Sequence, residues 1–295
     1  MSARAFAPAK VNLYLHVGPA GPDGFHPLES LMVFADVGDW VAISEETSSP
    51  LQMTGPFAAG LGGDDNLVLR AARLLSDRLD RPGPAPALRL DKHLPLASGL
   101  GGGSADAAAT LRLLNRRWGQ TLTLDELEVL AGDLGSDVPA CIRSQPVTAS
   151  GRGHVLAPAP RLPDMPAVLV NPGVACPTGA VYRAYDEAGP RERADPVPDP
   201  GALPDVVAAA HWLATLRNDL ERPAAAVAPL VTTLLERLCD APETLLARLS
   251  GSGATAFALC PDAAAARRLA ATLAREHPDW WVRPCRLGAP LEDRP

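Results

Sequence analysis

The sequence predicts an α+β fold of two domains. Strand-like and helix-like stretches intermix without the strict alternation of a doubly wound sheet. A glycine-rich loop opens an alanine-rich helical pattern within the first half of the chain. The Pro-rich stretch LAPAPRLPDMP, residues 156–166, reads as a hinge, so a first domain over 1–156 and a second over 157–295 are expected. The 295 residues, 47% of them hydrophobic, are enough for two ordinary cores. No internal repeat is visible.

The elements follow in order. Residues 9–17 alternate as a strand and lead into GPAGPDGFHPLES, a Gly/Pro turn carrying Phe25 and His26. Two strands are expected at 31–34 and 39–44. DDNLVLRAARLLSDRL reads as a helix, with Asp64 or Asp65 near its start and Leu67, Ala71, Leu74 and Leu75 on its apolar face. ALRLDKHLP is a strand feeding the glycine loop. Thr123 and Glu126 form a capping box for a helix running to Leu134 and stopped by Gly135. Beyond the hinge the pattern gives a strand at 167–170, a loop over NPGVACPTGAVYRAYD, and a disordered-looking segment at 187–204. Helices at 206–217 and 225–239 come next. RLSGSGATAFALC then reads as strand, glycine turn and strand, ahead of a helix at 262–275 and a last strand, WWVRPCRL.

The loop LPLASGLGGGSADAAATLRLLN holds the clearest chemical signal. Gly99, Gly101, Gly102 and Gly103 lack a Cβ, so the backbone can take positive φ and approach a ligand closely. From Ser104, the residues Ala107, Ala108, Leu111, Leu114 and Trp118 recur at helical spacing. Unpaired N–H groups and a partial positive charge at a helix start make an anion site, so the loop reads as a phosphate cradle. A flexible turn with Ser104 as N-cap is the plainer alternative. A Walker loop would need Lys before Ser104, and the dinucleotide fingerprint needs a third glycine where Ser104 stands. No His-Arg-Asp or Asp-Phe-Gly motif of the protein kinases occurs. What remains is a different nucleotide-phosphate loop.

Charge and composition exclude other classes. A net charge of −7 and a pI near 5.4 argue against a nucleic-acid surface. The five cysteines are scattered without Cys-x-x-Cys pairs or metal-ligand spacing, which fits a reducing cytoplasm. No apolar run has the length of a signal peptide core or a membrane span, so a soluble protein is expected. The basic residues are all arginine except Lys10 and Lys92. A compact ammonium cannot be replaced by a guanidinium in a tight site, and both lysines stand at suggestive places: one opens AKVNLYLHV, the other precedes the glycine loop.

Four stretches now stand in order: AKVN with DGFH, PLASGLGGGSADAA, LGSDVP and SGSGATAFAL. This series resembles the kinase superfamily named after galactokinase, homoserine kinase, mevalonate kinase and phosphomevalonate kinase. Within it, AKVNLYLHV…DGFHPLESLM and NDLE at 218–221 resemble the kinases of 4-diphosphocytidyl-2-C-methyl-erythritol, ATP-dependent enzymes of the non-mevalonate isoprenoid pathway. The similarity runs from Ala9 to Leu259.

The resemblance implies a two-domain small-molecule kinase fold with ATP and a cytidine diphosphate substrate meeting in the cleft between lobes, Mg²⁺ as cofactor, and a monomer or homodimer without nucleic-acid or membrane partners. Pro95, Leu96, Ala97, Ser98, Gly99, Leu100, Gly101, Gly102, Gly103, Ser104 and Ala105 would wrap the ATP phosphates, with Ser104 a metal ligand. Asn66 and Lys92 would lie near the adenine end. Asn12, Phe25, His26 and Tyr182 would hold the substrate together with Lys10, and Asp137 would stand beside the reacting hydroxyl as its base. Lys10 has two open roles: keeping Asp137 ionised, or neutralising the group in transfer. Three departures stand out: Ala105 where a second serine is common, Phe25 where tyrosine is usual, and a Pro-rich stretch at 187–204 without a counterpart. Each residue also has a structural reading: Asp137 as a turn cap, Tyr182 as core, Asn66 as a helix cap, SGSGAT as a hairpin turn. Rival functions are another small-molecule kinase of the superfamily, acting on homoserine or mevalonate, and an inactive nucleotide-binding relative.

Overall fold

The computed structural model describes residues 3–46, 48–59, 66–81, 83–189 and 197–288. Its elements run β1 (Arg4–Val17), β2 (Leu28–Ile43), β3 (Leu51–Thr54), α1 (Leu67–Arg78), β4 (Leu88–Asp91), α2 (Gly102–Arg117), α3 (Leu124–Ala131), α4 (Val138–Arg143), β5 (Val147–Gly151) and β6 (Val155–Pro158). They continue with β7 (Met165–Asn171), α5 (Thr178–Glu187), α6 (Val206–Ala214), α7 (Glu221–Val227), α8 (Leu230–Cys239), β8 (Leu246–Leu249), β9 (Ala256–Leu259), α9 (Ala263–Glu276) and β10 (Trp281–Leu287). The α+β expectation holds. The strands form one sheet with the path β3-β4-β2-β10-β7-β9-β8, on which β1 and β5 also pair with β2, and β6 with β5. Only the β3–β4 pairing among these is parallel.

The two strands expected at 31–34 and 39–44 are a single strand, β2. Gly38 between them lies opposite Pro8, where a Cβ would stand 2.2 Å from the Ala7 carbonyl oxygen. Its glycine admits a close backbone approach inside a strand rather than a turn. The capping-box helix, α3, ends at Ala131. Three i→i−3 hydrogen bonds then carry the chain through Gly132 and Asp133 to Leu134, so the last expected turn is tightened rather than α-helical. The stretch 171–186, read as a loop, holds all but the last residue of α5, which starts after Pro177. The helix expected at 225–239 is two, α7 and α8, interrupted at Pro229, which has no N–H for a helical bond. Strands β3, β5 and β6 are short and were not foreseen. Asp64 and Asp65 lie outside the described residues; Asn66 is the N-cap of α1, its side chain accepting from Val68 N at 2.9 Å. Of the segment 187–204, residues 190–196 also lie outside.

Four apolar clusters support this arrangement. Helices α1–α4 pack on β1 and β2 through residues such as Phe34, Leu75, Leu111 and Ile142. A second cluster joins β1 and β2 to β7, β10 and α6 through Leu13, Tyr14, Leu169 and Phe257. The third lies between α8, α9 and strands β7 and β9, and the fourth packs α5 and α7 on the end of β1. Strand β1 is therefore shared by cores on both sides, and the residues it carries at mid-length lie between them.

Candidate active site

Strand β1 presents Lys10 and Asn12 on one face, as strand alternation requires. Its pairing with β2 is regular except between Pro8 and Lys10 and between Asn12 and Tyr14. These two irregularities bracket the polar pair, where bulges commonly re-aim side chains. The freed backbone bonds elsewhere: Lys10 N donates to Leu100 O at 2.8 Å and Asn12 N to Ser250 Oγ at 3.2 Å. Asn12 Nδ2 donates to Ser30 Oγ at 2.7 Å, and that hydroxyl donates on to Tyr14 O. The Lys10 ammonium donates to Asn12 Oδ1 at 2.8 Å and stands 3.1 Å from Asp137 Oδ2. Asp137 occupies the N-cap position of α4, yet its side chain makes no capping bond. Its carboxylate is directed at Lys10 instead, which sets aside the turn-cap reading.

The glycine loop closes over this pair. Gly101, at φ +60, is the N-cap of α2; a Cβ there would lie 3.1 Å from Lys10 Cε and 4.0 Å from Asp137 Oδ2. The unpaired N–H groups at the start of α2 thus open beside the carboxylate. Behind the loop sits the turn between β8 and β9. Ser250 Oγ donates to Gly99 O at 2.9 Å, and Thr255 N donates to Ser98 O at 3.0 Å. SGSGAT is a hairpin turn, and it also backs the glycine loop. The NDLE stretch clasps the same region: Asn218 Nδ2 donates to Leu249 O and Gly251 O, while Asp219 Oδ2 accepts from Val17 N.

Lys92 ends in a buried network. Its ammonium donates to Asp39 Oδ2 at 2.5 Å and to Asp106 Oδ2 at 2.7 Å, and Asp39 Oδ1 also accepts from the backbone of His93 and Leu94. Burial alone would pull the lysine pKa down; the two carboxylate charges outweigh it and the pKa is raised. Burial pushes Asp106 up to about 8, with the Asp39 charge adding to it and Lys92 opposing. Asp106 Oδ1 is buried without a hydrogen-bond partner.

A cleft of about 1050 Å³ gathers the predicted residues: Lys10, Asn12, Phe25, His26, Asn66, Lys92, Asp137 and Tyr182 line it, with Pro95 to Gly99 and Gly101 to Ser104. Leu100 and Ala105 do not. Both side chains are fully buried in the apolar clusters, so a hydroxyl at 105 would face the core rather than the cleft. At the far end His26 packs on Tyr182 with ring centroids 4.9 Å apart; its Nδ1 lies 2.9 Å from Gly18 O and its Nε2 3.5 Å from Asp186. Burial first, then the Asp137 charge, pushes the Tyr182 phenol up to about 12. Arg152, Thr178, Arg183 and Ser252 also line the cleft and were not singled out from sequence. For Asp106 a signal existed: an acid inside the alanine stripe of a helix whose neighbours all read as core. For Asp39, inside an alternating strand, there was none.

The chain matches the GHMP kinases N terminal domain over residues 66–145 and the GHMP kinases C terminal domain over 202–279. It is 51% identical over 289 residues, 97% of this chain and all of the relative, to the 4-diphosphocytidyl-2-C-methyl-D-erythritol kinase of Caulobacter vibrioides. A crystal structure of a 4-(cytidine 5'-diphospho)-2C-methyl-D-erythritol kinase superposes with a TM-score of 0.77 at 34% identity, covering 97% of this chain and 99% of the other. Homoserine kinase from Cytophaga hutchinsonii shares the fold, with a TM-score of 0.65 at 17% identity over 98% and 94% of the two chains.

Proposed function

The chain belongs to the 4-diphosphocytidyl-2-C-methyl-D-erythritol kinase family of GHMP kinases, and from that premise we propose how its cleft performs the family's reaction. The enzyme transfers the γ-phosphoryl group of ATP to the 2-hydroxyl of 4-(cytidine 5'-diphospho)-2-C-methyl-D-erythritol, giving ADP and the 2-phosphate, in isoprenoid precursor synthesis. The observation that carries the site assignment is the Lys10–Asp137 pair, 3.1 Å apart, beside the open start of α2.

Phosphoryl transfer passes through a loose transition state, so the protein chiefly positions groups and neutralises charge. The N–H groups from Gly101 to Ser104 cradle the phosphates, Asn66 lies toward the adenine end, and Lys92 holds the loop from beneath. Asp137 orients the substrate hydroxyl and accepts its proton. Aspartate is a weak base for an alcohol, so the proton moves late, after most of the P–O cleavage. Lys10 steers the Asp137 carboxylate and places a positive charge beside the group in transfer, and Asn12 fixes Lys10. Phe25, His26 and Tyr182 form the cytidine end.

The oxygen donors at the loop suit Mg²⁺: the Ser104 hydroxyl lines the cleft in the first turn of α2, and Mg²⁺ favours few protein oxygens completed by nucleotide phosphates. Ser104 would hold it, and the ion would supply charge neutralisation to the nucleotide phosphates. Residues 1–156 form the ATP-binding domain and 157–295 the domain completing the substrate site, a division that the two family matches support. Five cysteines without a disulfide suit a cytoplasmic enzyme. It acts as a monomer or homodimer without nucleic acid, in keeping with its net charge of −7.

The test is ADP formation by purified protein with ATP and Mg²⁺, with and without the cytidyl substrate. Formation dependent on that substrate is expected. Equal turnover with homoserine or mevalonate, or none with any acceptor, would overturn the reading.

A further inference from the structure

Phe25 is 55% exposed, an unusual setting for a phenylalanine in a Gly/Pro turn that lines a cleft. Its ring is nonetheless not free to swing. The Arg152 guanidinium lies over one face, its carbon 4.3 Å from the ring centroid. Arg152 is itself anchored to Asp23 through an Nη2–Oδ2 ion pair, and the other oxygen of Asp23 accepts from Phe25 N at 3.0 Å. The ring, the guanidinium and the carboxylate close a small circuit between two turns.

The backbone explains why they meet. Leu28 at the start of β2 pairs with Gly151 at the end of β5, which brings the β5–β6 turn beside the loop that carries Phe25. Gly151 and Gly153, at φ +65 and +90, bracket Arg152 in a tight turn closed by Gly153 N donating to Ser150 O. The side chain between those glycines projects into the mouth of the cleft.

We propose that Arg152 is a positioning residue for the cytidine end of the site: by stacking on one face of Phe25 and tying its loop to the β5–β6 turn, it holds the opposite face ready for a pyrimidine base. An exposed ring that must be ordered on binding costs affinity, and a ring already held does not. A guanidinium suits this task better than an ammonium, since its plane covers the ring while its fork keeps the carboxylate. The inference rests on the assignment of Phe25 to the cytidine end, and it adds a residue that touches Phe25 and Asp23 rather than the reacting atoms.

The test uses the full-length protein, with cytidine 5'-diphosphate as the probe in calorimetric binding, beside KM and kcat for both substrates and the melting temperature. Stacking of a cation on an exposed ring corresponds to about 0.5–1 kcal/mol, so Arg152→Ala should weaken cytidine diphosphate binding by roughly 2- to 5-fold. KM for the cytidyl substrate should rise in step, with kcat, KM for ATP and the melting temperature nearly unchanged. Arg152→Lys keeps a cation for Asp23 but no plane for the ring, and should recover less than half of the loss. Unchanged probe binding in Arg152→Ala, an equal loss for ATP, or full recovery with lysine would each overturn the proposal. Binding is read without turnover, so a wild-type protein that binds the probe but forms no ADP would sink the reaction assignment and leave Arg152 testable. Failure of wild type to bind the probe would overturn both.

Discussion

The Asp137 carboxylate stands 3.1 Å from the Lys10 ammonium and makes no bond to the helix whose N-cap position it occupies. A capping aspartate would turn back toward its own helix N–H groups; this one faces a cation on a strand more than a hundred residues earlier in the chain. That orientation separates catalysis from stability in one substitution. Asp137→Asn preserves size but removes charge and proton affinity, and kcat should fall by roughly 10²–10⁴, about 2.7–5.4 kcal/mol of barrier. Stability should move by about 1 kcal/mol or less, because Asp137 is partly exposed and the buried Lys10 keeps Asn12 as a partner, while the asparagine still offers it an oxygen. The paired measurements are kcat and melting temperature. A normal kcat in the folded variant would remove Asp137 from the chemistry.

The glycines of the loop have separable duties. Gly99, at φ +76, has no room at all: a Cβ would stand 2.2 Å from Ser250 O. Gly103 lies inside α2, where a Cβ would meet only Leu67 Cδ1, at 3.4 Å, yet it borders the cleft. Gly99→Ala should therefore lower the melting temperature, with backbone strain alone costing about 1–3 kcal/mol before the clash is counted. Gly103→Ala should leave stability the same or raise it by about 0.5–1 kcal/mol, as alanine does in a helix, while raising KM for ATP. If Gly103→Ala binds ATP normally, the first turn of α2 is not the phosphate cradle.

Much of this was legible in sequence because the signals are local. A glycine run before a helical stripe, a capping box and alternating strands each depend on residues close in the chain, and α2, α3, β1 and β7 came out recognisably. The misreadings differ in cause. The strand break expected between 34 and 39 is absent because Gly38 admits the crossing backbone of Ala7, a partner distant in the chain. The helix expected over 225–239 ran through Pro229, a local breaker that the apolar pattern outweighed. Lys10 and Asp137 could be paired only through the family resemblance, since nothing in either neighbourhood points to the other. Lys92 stood out as one of two lysines and Asp106 as an acid inside an alanine stripe, but their meeting with Asp39 was beyond reach for the same reason: the buried charge cluster is assembled from β2, the end of β4 and α2, and no single stretch announces it.

That cluster gives the last prediction. Two carboxylates, Asp39 and Asp106, share one ammonium out of water, and the second oxygen of Asp106 has no partner. Burial, reinforced by the charge of Asp39 and opposed by that of Lys92, pushes Asp106 up to about 8 from a usual 3.8. Between those two pH values the folded chain holds a proton at Asp106 that the unfolded chain has released. Stability changes with pH as the protons bound unfolded minus those bound folded, so this group makes the protein less stable as pH climbs through that window. Lys92, whose pKa is raised above 10.5, stays charged in both states over the same range and adds no slope. Asp106→Asn keeps an oxygen for the Lys92 ammonium and abolishes the titration. The wild-type protein should thus lose stability relative to Asp106→Asn as pH rises from about 5 to about 8, with the difference levelling off above. Denaturant melts of both proteins at half-unit pH intervals check this. Parallel curves across the window would mean that Asp106 is ionised throughout, held so by Lys92 alone.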